Sequence, residues 1–185
     1  YVLMTPQSRD LFYNAPAFCP TPAITTQGDQ RVYVWEGVDI PRIKQEPNAP
    51  GFAELADPLI VSTYKDWSAF DAWYRKLIKD QFTAGSDIKE KVAEITEGME
   101  DPWEKLVAIY RYASNEVKYI AIELGIHSYK PYQANEIFQR GWGDCKDKAT
   151  LMIAMLKEVG IKANMVLVRT RDRGRLKPEP ATLAM

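Results

Sequence analysis

The apolar residues of this chain change period near residue 63, and that change limits the possible folds more than any other feature. Before it, "RVYVWEGVDI" (residues 31–40) alternates Val32, Val34 and Glu36 against Tyr33, Trp35 and Gly37. That two-residue period predicts a strand with both faces partly covered. "PRIKQEPNAPG" then breaks any regular element. After it, in "DWSAFDAWYRKLIKDQF", Phe70, Trp73, Tyr74, Leu77 and Ile78 fall at i, i+3, i+4, i+7 and i+8, the apolar stripe of a helix. "SDIKEKVAEITEG" repeats the pattern with Ile88, Val92 and Ile95, and Gly98 supplies a stop. "DPWEKLVAIYRYASNEV" has the best start signal. Asp101 can cap, Pro102 suits the first helical position and Glu104 completes a capping-box pattern. Leu106, Ile109, Tyr110, Ala113 and Val117 form its predicted core face.

Further on, "VKYIAIEL" (117–124) is a β-rich run, and "YKPYQANEIFQRG" reads as a loop and a short helix. "IKANMVLVRT" reads as a buried strand and "RDRGRLKPEP" as a charged turn or loop. Helices, strand, helix, strand is an α+β order, with helices packed on a sheet. Residues 1–62 read as the tail of a β-rich domain and a linker, and residues 63–185 as a second domain.

Composition narrows the function. With 46% hydrophobic and 26% charged residues, the 185-residue chain fits a globular protein rather than a disordered one. A net charge of -1 with no basic stripe argues against a nucleic-acid partner. No apolar run approaches the roughly 18 residues of a membrane helix. The opening "YVLMTPQSRDLFYNAP" carries neither an initiator methionine nor a secretory signal, and both ends read as cut. The cysteines Cys19 and Cys145 are too few for a disulfide framework. One histidine and two distant cysteines do not make a metal-ligand set, and no cofactor is implied.

The stretch that carries chemistry is "GWGDCKDKATLMIAMLKEVG" (141–160). Asp144 is placed to cap a helix whose first turn holds Cys145. A helix N-terminus favours an anion by about 0.3–1 kcal/mol, which is well under one pKa unit at about 1.36 kcal/mol per unit. Lys146 and Lys148 add positive potential, and Asp144 and Asp147 oppose it. A catalytic thiol needs more, usually an imidazole partner. Ala149, Met152, Leu156 and Val159 follow Cys145 on one apolar face, which predicts that the sulfur lies on the buried side. Gly141 and Gly143 allow close backbone approach just ahead of it. Two readings stay open on spacing alone, a nucleophile backed by helix amides and a small buried hydrophobe. Gly160 stands where a left-handed helix end belongs.

The segment "GWGDCKDKATLMIAMLKEVGIKANMVLVRT" resembles the nucleophile segment of the transglutaminase-like superfamily, the papain-related cysteine-nucleophile fold. The shared pattern is Gly143, Cys145, Asp147, Ala149, Gly160 and Ile161. "VKYIAIELGIHSYKPYQANEIFQRG" is similar to the strand and loop before that nucleophile. "EPNAPGFAELADPLIVSTYKDWSAFDAWY" resembles the linker that, in a bacterial subgroup, follows a β-rich domain of unknown function. The resemblance implies helices packed on an antiparallel sheet, truncated at the C-terminus, with an N-terminal β-rich remnant. It implies a Cys-His-Asp triad in which Cys145 attacks a carboxamide or peptide carbonyl and the acyl group passes to an amine or to water. The partner would be a protein or peptide substrate, and subgroup habit implies the periplasm or export.

In that family the triad histidine and aspartate lie on strands after the nucleophile helix. No histidine follows Cys145, so the expectation is a chain cut before the triad histidine and inactive as it stands. His127 precedes the cysteine, the wrong order for the family, and reads as a loop histidine that bonds locally or lines the cleft. Tyr119 and Trp142 are candidates for oxyanion support or cleft walls, each against ordinary packing. Gly143 and Asp144 support the nucleophile turn, Asp147 reads as charge complementarity to the helix end, and Cys19 as an incidental loop thiol. The rival function is a non-catalytic binding or scaffolding module that keeps the fold.

Overall fold

The structure, a computed structural model, describes residues 1–19, 21–40, 42–44, 46–49, 52–56, 58–170 and 180–182. The turn expected at 171–180 therefore lies almost wholly outside the described residues, as does part of the break at 41–51. The fold is α+β, with helices, antiparallel sheets and one short parallel strand pair. It divides into two compact units, residues 1–73 with 168–185 and residues 74–167.

In the first unit, β1 (Val2–Pro6), β2 (Phe12–Asn14), β3 (Ala23–Gln27) and β4 (Gln30–Val34) are followed by α1 (Phe52–Leu55) and β5 (Ile60–Ser62). Strands β1, β4 and β3 form an antiparallel sheet with β4 in the middle, and β2 pairs antiparallel with β5. The register Gln27↔Gln30 leaves Gly28 and Asp29 as the hairpin turn. Gly28 takes the positive φ of 61° that the first central position of such a turn demands. Strand β4 is covered on both faces, since Val32 and Tyr33 are both buried. It ends at Val34, earlier than its alternation suggests, and Val38 and Ile40 beyond it are exposed. No partner strand extends alongside them among the described residues, so alternation there finds no ladder. Trp35 is buried, stacked on Tyr33 at 5.6 Å and met edge-on by Tyr13 at 5.4 Å. Cys19 is buried in the same cluster with Leu3, Leu11 and Val61 packed against it, a core residue rather than an incidental loop thiol.

Helix α2 (Trp67–Ile78) contributes to both units. Its first half joins an aromatic cluster in which Tyr64 and Phe70 meet edge-on at 5.4 Å. Its second half buries Tyr74 and Ile78, members of the predicted stripe.

The second unit holds α3 (Ser86–Ile95), α4 (Pro102–Asn115), β6 (Lys118–Tyr119), a 3-10 turn at Gly125–Ser128, α5 (Ala134–Arg140), β7 (Trp142–Gly143) and α6 (Cys145–Glu158). Asp101 caps α4 by accepting the Trp103 N–H at 3.0 Å, with Pro102 at the start of the helix. Its buried face is Ile109 and Ala113, with Val117 just past the end. Tyr110, predicted for this face, is exposed, and Tyr112 packs on the core instead. Helix α6 packs against α3, α4 and α5, so Ile88, Val92, Ile109, Ile137, Leu151, Ala154 and Met155 close one core. Removing the Ile109 side chain beyond Cβ leaves a cavity in that core. Ile109→Ala is expected to lower stability by about 2–5 kcal/mol, read as an earlier urea midpoint with an unchanged slope.

Two predicted strands are reduced. Of residues 117–124 only Lys118 and Tyr119 join a ladder, and Ile122 and Leu124 are exposed. Residues 161–170 form no strand, and Val166 and Val168 are exposed rather than buried. β-Branched residues make a strand only where a neighbour takes their backbone N–H and C=O groups, and no described segment does so here. Ile161, Ala163 and Met165 still alternate in burial with Lys162, Asn164 and Val166. No helix among the described residues is long and apolar enough to cross a membrane.

Candidate active site

Helix α6 is defined at both ends by its own sequence. Asp144, itself buried, accepts the backbone N–H groups of Lys146 at 3.1 Å and Asp147 at 3.2 Å. Asp147 answers by accepting the Asp144 N–H at 3.3 Å, so the two aspartates make a reciprocal capping box. At the far end Gly160, at φ 77°, donates to Lys157 O, and Ile161 donates to Leu156 O. That pair of bonds is the Schellman stop that Gly160 predicts.

Cys145 begins the helix and is exposed, which corrects the expectation that its sulfur lies on the buried side. The buried residues of α6 are Asp147, Thr150, Leu151, Ala154, Met155 and Leu156. Leu156, eleven residues or about three turns beyond Cys145, lies on the thiol's own side and is buried, and Met152 and Val159 pack against the core, so that side is covered further along and opens only at the thiol. The two buried acids Asp144 and Asp147 make the first turn part of the buried structure while leaving the thiol outside. Hydrophobic spacing misses this because the anchoring side chains are charged.

The turn before the helix forces two glycines. Gly141 ends α5 in the left-handed conformation, φ 69°. A Cβ on Gly143 would lie 2.6 Å from Asp147 Cβ, closer than side chains tolerate. Between them, β7 pairs parallel with β6, so that Lys118 N–H reaches Gly141 O at 2.9 Å and Ile120 N–H reaches Gly143 O at 3.0 Å. The register sets Tyr119 beside Gly143. The Tyr119 hydroxyl is held above its ordinary pKa, first by the negative charge of Cys145, then by partial burial and hydrogen bonding with the Cys145 side chain. Tyr74 is pushed up too, by burial first and then by the charges of Cys145 and Asp144. Tyr119, an exposed side chain, therefore interacts with the thiol, and the buried Tyr74 senses its charge. The family resemblance singles out Tyr119, whereas nothing in the pattern around Tyr74 distinguishes it from a core residue.

The charges at the turn are matched. Lys146 Nζ contacts Asp144 and lies 3.9 Å from Glu123 Oε1. Lys148, rather than facing the thiol, donates to Ser114 O at 3.0 Å and Val117 O at 2.9 Å, the open carbonyls at the end of α4. Asp147 does more than complement the helix end. Its Oδ1 accepts the Tyr132 N–H at 2.9 Å, and its Oδ2 accepts Arg140 Nη2 at 2.7 Å. Arg140 also donates from Nε to Trp142 O at 2.7 Å. Its guanidinium lies between the Tyr132 ring at 4.2 Å and the Trp142 ring at 4.0 Å. The Trp142 ring is thus engaged by Arg140. On the other side of Tyr132, His127 stacks at 3.8 Å and 6°, with Nδ1 3.0 Å from Lys130 O. His127 is locally bonded, as a loop histidine would be. Arg140 carries no motif signal of its own, and only the fold reveals its place.

No group of three or more histidine, cysteine, aspartate or glutamate side chains among the described residues could hold a metal ion. The family model of the transglutaminase-like superfamily matches residues 89–181, half of the chain. The chain is also similar to the crystal structure of a "putative protease" from Parabacteroides distasonis ATCC 8503, with a TM-score of 0.71 at 20% identity. That match covers 87% of this chain and 32% of the other, so this chain spans about a third of the length of that protein. No curated protein matches the chain significantly.

Proposed function

The chain belongs to the transglutaminase-like superfamily, and from that premise we propose that Cys145 is the nucleophile of a cysteine-dependent acyl transfer or amide hydrolysis on protein or peptide substrates. The observation that carries this reading is the exposed thiol on a doubly capped helix N-terminus, bordered by Tyr119. The sulfur attacks the carbonyl carbon of a carboxamide or peptide bond, forming C–S while the C–N bond breaks and the amine leaves with a proton. Water or an amine then attacks the thioester, releasing an acid or a new amide and returning the thiol. In this reading the developing negative charge is assigned to the helix N–H groups and the Tyr119 hydroxyl. The chain spans about a third of the length of the similar protein, so turnover is proposed for the whole protein, and the 185-residue chain by itself, with no histidine after Cys145, is expected to stop at the adduct.

Incubation with 4-nitrophenyl acetate, followed by peptide mass mapping, tests the nucleophile. One acetyl group on Cys145, with buried Cys19 unmodified, is the expected result. A folded protein in which Cys145 stays unacetylated would instead favour the binding-module reading. Tyr119→Phe separates oxyanion support from packing. In the whole protein it is expected to lower kcat about 10²-fold with KM nearly unchanged. An unchanged kcat returns Tyr119 to a packing role.

A further inference from the structure

We propose that Arg140 is a positioning residue for Cys145, holding the nucleophile turn in place through Asp147. This rests on the reading of Cys145 as the nucleophile. Arg140 makes its bonds with little solvent around it, its side chain being 13% exposed and that of Asp147 3%. The fork of the guanidinium is used at three points. Nη2 meets Asp147 Oδ2 at 2.7 Å, Nε meets Trp142 O at 2.7 Å, and Nη1 lies 3.6 Å from Glu136 Oε1. The flat faces are used as well, against Tyr132 and Trp142. Asp147 passes the constraint on, because its carboxylate also holds the backbone N–H groups of Tyr132 and Asp144. One ion pair thereby ties the loop before α5, the strand β7 that aligns Tyr119, and the N-cap residue next to Cys145. The absent Cβ of Gly143 is what lets the carboxylate come this close. Lysine could supply the charge but neither the second directed bond to Trp142 O nor the planar stack.

The test is the second-order rate of Cys145 alkylation by iodoacetamide, measured on the 185-residue chain by peptide mass, with the far-UV helical signal and a cooperative thermal transition reporting that the helical unit is folded. Arg140→Gln is expected to slow alkylation about 10-fold, because the helix N–H groups no longer stay aligned on the sulfur. Arg140→Lys is expected to recover part of the rate, to about 3-fold below the parent. Glu136→Gln, which removes only the outer ion pair, is expected to keep the parent rate. A stability role alone would make the rate follow Tm rather than the identity of the residue. A folded Arg140→Gln chain that alkylates at the parent rate overturns the proposal. If that variant does not fold, Arg140→Lys decides, and a parent rate there overturns it. The nucleophile reading fails separately, through the missing acetyl adduct on the unmodified parent.

Discussion

Cys145→Ala is expected to abolish turnover of the whole protein, lowering kcat by at least about 10³-fold, since loss of a covalent nucleophile leaves only binding and oxyanion contacts. The reason is structural. Cys145 is exposed, whereas the chain's other thiol, Cys19, is buried in the aromatic core of a different unit. Alanine keeps the helix start intact, because the capping box is made by Asp144 and Asp147 and by backbone groups. Stability should therefore change by no more than about 0.5 kcal/mol, as for an exposed position. Hydrolysis of a fluorogenic peptide and hydroxamate formation from a glutaminyl peptide with hydroxylamine are the readouts. Which of the two the parent performs distinguishes hydrolysis from transfer. Retention of either one in the alanine variant would sink the nucleophile assignment.

Asp147→Ala has the largest expected effect on folding. Asp147 is 2% exposed and takes three hydrogen bonds, from Arg140, Tyr132 N and Asp144 N. Removing it leaves the buried Arg140 charge without its carboxylate, a loss of about 3–5 kcal/mol for breaking one side of a buried pair. Against a total stability of about 5–15 kcal/mol for an ordinary domain, that is enough to populate unfolded chains. Chemical denaturation of the variant should show this as a lower midpoint. Asp147→Asn keeps the shape and the acceptor oxygen for Tyr132 N, so it should cost less. If the alanine variant lost under 1 kcal/mol, the network around Arg140 could not be the anchor of the turn.

The gap between the exposed Cys145 and its expected burial shows what apolar spacing can and cannot read. Ile88, Val92, Ile109 and Ala113 follow helical period, and each is buried as the period predicts. The caps are equally legible, because Asp101, Asp144 and Gly160 act on groups within a few residues of themselves. Tyr110 and residues 161–170 misled because propensity says nothing about which neighbour will be there. The apolar face of α6 is read correctly at Leu156, and spacing misses only the first turn, where the buried residue is Asp147, polar in pattern and paired with an arginine on another element.

By itself the sequence determined the α+β class, the helix limits and the capped segment that holds Cys145, because all of these depend on local backbone chemistry and on one-dimensional period. Only the tertiary structure decided that Cys145 faces outward, that Tyr119 pairs with Gly143 beside its turn and that Arg140 binds Asp147 within that turn. Those facts come from pairings between distant segments, where a hydrogen bond or an ion pair, rather than hydrophobic spacing, sets the geometry.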